Sequence, residues 1–95
     1  MEKGASKIDQ DLMRVLDSLT ETDEIDILVY PRQMSEEFER FLLGKKNQGL
    51  LDYNILQIAN CAVVKAPKSV ILDIAAQHDV SRITINPRFT INQSV

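Results

Sequence analysis

A chain of 95 residues is enough for one domain with one modest core, burying roughly 60–65% of the surface its unfolded form exposes. With 44% hydrophobic and 26% charged residues, the composition is that of a globular protein and argues against disorder. The net charge is −3, Lys and Arg are scattered, and aromatics are only 5%, so nucleic acid, which calls for basic patches, is a poor partner.

The lone cysteine, Cys61, cannot close an intrachain disulfide and leaves the redox compartment open. No apolar run approaches the roughly 20 residues that cross a bilayer, so no membrane partner is expected. Residues 1–6 hold no apolar stretch of the kind a secretory leader needs. The chain is therefore expected to be cytoplasmic, or else secreted with its leader already removed.

In chain order, Ile8, Leu12, Val15, Leu16 and Leu19 recur at helical spacing and predict an amphipathic first helix over 8–19. Ser6 and Asp9 resemble a capping box before it. The acidic stretch from Asp17 to Asp26 reads as the helix end and a solvated connection, and its spacing fits no calcium loop. Ile25 to Tyr30 is β-branched and apolar, and Pro31 stops it, which predicts a strand. Ser35 followed by Glu36 and Glu37 is an N-cap with acids in the first turn of a second helix, whose apolar face is Phe38, Phe41 and Leu42. Gly44 or the run Lys45-Lys46-Asn47 ends it, and Gly49 turns the chain.

Leu50 to Ala59 predicts a second strand, with a break at Asn60, and Cys61 to Ala66 a third. Pro67 suits a helix start, with Ser69 as a second candidate cap. Val70, Ile71, Ile74 and Ala75 then form a helical face ending near His78. Val80 to Ile85 is a fourth strand, with Ile83 and Ile85 on one face and Arg82 and Thr84 on the other. The expected fold is therefore α+β: a ferredoxin-like βαββαβ antiparallel sheet with two helices on one face, plus an extra N-terminal helix. Residues 1–24 form the helical extension, 25–87 the sheet domain and 88–95 an extended tail. The second sheet face is left solvated or waiting for a partner.

No catalytic constellation assembles. His78 reads as a helix C-terminal histidine and Cys61 as a small buried hydrophobe. One Cys and one His cannot build a zinc site, and Gly4, Gly44 and Gly49 make no phosphate loop, so no metal, cofactor or enzymatic activity is expected. An RNA-binding domain of this topology would need aromatics on its central strands, and Cys61 to Ala66 has none.

The segment from Leu51 to Asn86 adds a resemblance. Ile55 to Asn60, the strand Cys61 to Pro67, the helix Val70 to Ala76 and the opening Asp79-Val80-Ser81-Arg82-Ile83 resemble the second half of subtilisin-family propeptides, the I9-type inhibitor domains. Residues 25–44 fit the family's first strand and helix more loosely. The resemblance is a pattern of apolar positions over residues 25–92 more than a set of unique residues. It implies a partner, a subtilisin-like serine protease, and a dual role as inhibitor and folding chaperone. It also implies that Phe89, Thr90, Ile91 and Asn92 enter the protease cleft as a substrate would, with Phe89 in an apolar pocket. Read from the residues alone, 88–95 is a polar terminus. In bacterial members acidic residues near the end of the fourth strand cap protease helices. Here Thr84 and Asn86 keep capping ability without the charge. The first helix is extra to the compact bacterial members, and either covers the core or stands apart as a regulatory appendage. Lys45-Lys46 is a basic pair open to a second cleavage or a solvated helix end. The free domain is expected to be monomeric.

Two other readings stay open. An ACT-like small-ligand domain shares the topology, but the loop Pro31-Arg32-Gln33-Met34 lacks the glycine such domains place there. A protein-interaction module would use the free sheet face.

Overall fold

The computed structural model describes residues 7–86. They form α1 (Gln10–Ser18), β1 (Glu24–Pro31), α2 (Glu36–Asn47), β2 (Asp52–Leu56), β3 (Cys61–Pro67), α3 (Lys68–Ala75) and β4 (Val80–Ile85). The strands make one four-stranded sheet in the order β2-β3-β1-β4, and every neighbouring pair is antiparallel. The class is thus α+β, compatible with a ferredoxin-like arrangement.

Strand alternation decides where the core lies. Ile25, Ile27 and Val29 of β1 are buried, and they stand opposite Ala66, Val64 and Ala62 of β3. On the other side, Val29 stands opposite the buried Ile83 of β4. Onto this face pack Phe38 and Leu42 of α2, and Val70, Ile71, Ile74 and Ala75 of α3. Leu12 and Leu16 of α1 belong to the same core, so the first helix covers the core and does not stand apart. It lies against β4.

Helix ends follow local chemistry. Ser35 caps α2, its Oγ accepting from the Phe38 N–H at 3.2 Å. At the other end Gly49, at φ 76°, turns the chain while its N–H donates to the Lys46 carbonyl and the Leu50 N–H donates to that of Lys45. That pair of bonds is a Schellman motif, which needs the left-handed residue glycine supplies.

Several boundaries differ from the sequence expectation. α1 starts at Gln10, not Ile8, because Ile8 forms a parallel bridge with Ile83 on the outer edge of β4. Its N-cap is Asp9, with no side-chain capping bond, and Ser6 lies outside the described residues. β2 is only five residues long, because Gln57 to Asn60 form a hairpin turn in which Asn60 adopts φ 55°. Asparagine tolerates that left-handed conformation better than most residues. α3 is preceded by Pro67 as N-cap, not Ser69, and ends at Ala75, short of His78.

Candidate functional site

The face of the sheet turned away from the helices carries the opposite alternation. Register places Leu28 opposite both Val63 and Thr84, and Val63 opposite Asn54, so these four residues form a central row across all strands. Leu28, Val63 and Thr84 are half-buried and Asn54 is exposed. On one side of the row, Lys65 stands between Asp26 and Asp52, a line of alternating charge. These three residues, with Tyr53, Asn54 and Val63, line a shallow depression of about 210 Å³. On the other side, Tyr30 stands opposite Arg82, whose guanidinium lies 5.8 Å from the ring centre. Leu56, exposed, stands opposite Cys61. Among the described residues the buried side chains of the helices all belong to the opposite face, and Cys61 at one end is the buried residue on this one. The face is mixed in character, with an apolar centre and charged margins.

Cys61 is 2% exposed and lies outside the main core cluster. Burial pushes its thiol pKa up, which makes it a poor nucleophile. His78 is exposed and lies in the turn after α3, where its carbonyl accepts from Arg32 Nε at 2.9 Å. Among the described residues, no group of three or more His, Cys, Asp or Glu side chains is placed to hold a metal ion, and no helix is long and apolar enough to cross a membrane.

Of the site residues proposed from sequence, Thr84 and Asn86 lie at the exit of β4. Thr84 is in the central row, and the Asn86 N–H donates to the Asp26 carbonyl at 3.1 Å, extending the pairing of β4 with β1. Phe89, Thr90, Ile91 and Asn92 lie outside the described residues. The sequence places Arg82 and Thr84 on this side of β4, but it does not single out Asp26, Leu28, Tyr30, Val63 and Lys65 as face residues. Their signal is the two-residue alternation in β1, which Asp26 starts but the apolar run Ile27 to Tyr30 masks.

No protein-family model matches the chain, and neither a curated protein nor a solved structure matches it.

Proposed function

We propose that this chain is a non-catalytic, propeptide-like inhibitor and folding chaperone of a subtilisin-like serine protease, built on a ferredoxin-like split βαβ sheet. The observation that carries this reading is the sheet itself. Its order β2-β3-β1-β4 leaves one face filled by helices and the other bare, and β4 hands the chain on to residues 87–95 at the margin of the bare face. A domain of that shape can rest its face on a protease while its tail runs on as an added strand in the cleft. Anchoring a binding segment to a rigid sheet reduces the ordering entropy lost on binding. Asp26, whose carbonyl accepts from the Asn86 N–H, and Glu24, two residues before it on β1, supply carboxylates at the margin where Asn86 lies. Such charge favours contact with the N-termini of partner helices.

The test is inhibition of a panel of subtilisin-family proteases by the full chain and by a chain ending at Pro87. The reading expects submicromolar inhibition by the full chain that disappears with the tail. A folded full chain that inhibits no member overturns it. The mixed apolar and polar centre of the bare face would then favour a protein-interaction module that uses the face alone.

A further inference from the structure

The two outer edges of the sheet differ. The edge of β4 is covered by residues 7–9, where Ile8 bridges Ile83 and the Asp9 N–H donates to the Ile83 carbonyl at 2.9 Å. The edge of β2 has no partner among the described residues. Natural proteins protect such an edge with lysine, proline, a bulge or a covering segment. Asp52–Leu56 has neither lysine nor proline, and its pairing with β3 runs without a register shift. Exposed apolar side chains gather along this border of the molecule. Leu43 on α2 lines a surface groove with Tyr53 of β2, Leu56 ends the strand, and Ile58 is fully exposed in the turn that follows.

We infer that the β2 edge is a self-association site, where a second copy of this chain pairs β2 against β2 in antiparallel fashion. The charge pattern of α2 identifies that occupant. α2 joins β1 to β2, which run in the same direction because both are antiparallel to β3, so α2 runs antiparallel to β2. A two-fold axis midway between the two β2 strands therefore sets the α2 helices of the two copies side by side and antiparallel. Each α2 is acidic in its first turn, with Glu36, Glu37 and Glu39, and basic in its last, with Lys45 and Lys46. The acidic end of each helix then meets the basic end of the other, with Glu39 facing the second copy's Lys46, which within its own chain lies 3.4 Å from Asp52, and with Leu43 near the axis.

The strand register agrees. With Asn54 on the axis every residue of β2 is paired, and Tyr53 stands opposite Ile55 of the second copy. An aromatic beside a β-branched residue is a favourable cross-strand pair. Asp52 falls opposite Leu56, so no like charges meet. Such an interface is isologous and closes on itself, which caps assembly at the dimer. The bare sheet face remains exposed in that dimer, so this inference stands or falls apart from the protease reading.

The experiment has two arms on the full chain. Sedimentation over a wide concentration range is expected to show a monomer–dimer equilibrium. Glu39→Lys and Lys46→Glu, each checked for folding by circular dichroism, are expected to weaken self-association roughly tenfold, and an equimolar mixture of the two to restore dimers. In the second arm, Asn54→Cys in a Cys61→Ala background is oxidised. Directly opposed antiparallel residues have Cα atoms about 4.5–5.5 Å apart, within disulfide reach, so a cross-linked dimer is expected. Asp17→Cys on α1 is the control and is expected not to cross-link. A chain that stays monomeric at every concentration overturns the inference. So does a dimer in which residue 54 cross-links no better than residue 17, or one indifferent to both charge reversals.

Discussion

Lys7 and Arg32 converge on two consecutive carbonyls beyond the end of α3: Lys7 Nζ donates to Gln77 at 2.7 Å and Arg32 Nε to His78 at 2.9 Å. These carbonyls lie in the turn just past the negative end of the α3 dipole, a position that suits two cations. The contacts also pin Lys7, ahead of α1, and Arg32, just past β1, to the turn that leads into β4. Replacing Arg32 with Met removes its side-chain bond, while the backbone N–H of residue 32 still reaches the Asp79 carbonyl. The expected loss is about 1 kcal/mol, a fall in Tm of about 4–8 °C in thermal unfolding.

The same pair gives alkaline pH a role. Burial, and secondarily the charge of Arg32, hold the Lys7 ammonium pKa below its usual value. The folded chain therefore releases this proton at lower pH than the unfolded chain. Between the two pKa values the unfolded state binds more protons, so the contribution of Lys7 to stability rises with pH and levels off above the ordinary lysine value. Denaturant unfolding at a series of alkaline pH values is expected to show that rise in a Cys61→Ala background. Lys7→Met is expected to remove it.

Cys61 has the opposite slope. Its thiol pKa is raised by burial, so the unfolded chain loses the proton first and stability falls once pH passes the ordinary thiol value. The buried thiol is also expected to react with iodoacetamide only through opening of the sheet. Alkylation should be slow in the native protein and should accelerate in step with denaturant. Rapid stoichiometric alkylation under native conditions would contradict the burial of β3 at that point.

Much of the fold was legible because local signals agreed with one another. Ser35 before two glutamates marks the start of α2, and the β-branched run before Pro31 marks β1. The sequence makes β2 too long because Ile58 is apolar, yet Ile58 is fully exposed in the hairpin turn, where Asn60 sets the backbone. Periodicity cannot separate an apolar strand residue from an apolar turn residue. Nor does the apolar run from Ile27 to Tyr30 by itself show which of Leu28 and Val29 faces the helices. That depends on pairing with β3 and β4, strands distant in sequence. The meeting of Lys7 and Arg32 has no local signal at all.

The place of α1 in the core makes it indispensable to the fold. Leu12 and Leu16 are buried in the cluster that holds Ile27, Ile74 and Ile83. Leu16→Ala is expected to cost about 2–5 kcal/mol, a large fraction of a small domain's stability, read as a lower denaturant midpoint. A chain starting at residue 20 is expected to lose cooperative unfolding. Retention of a sharp transition by that truncated chain would show α1 to be an appendage after all.

The bare face and the tail make separable contributions if the chain binds a protease. Val63 lies in the central row between Leu28 and Asn54 and is only half-buried, so Val63→Glu places a charge on the face without entering the helix-covered core. Its effect on folding is expected to stay near 1 kcal/mol, while a carboxylate forced against an apolar partner surface loses its water without gaining a counter-charge. Inhibition is therefore expected to weaken by tenfold or more at temperatures where the variant is folded, with the tail intact and Tm lowered by only about 4–8 °C. Undiminished inhibition by Val63→Glu would place all the binding in residues 87–95 and leave the sheet as their scaffold.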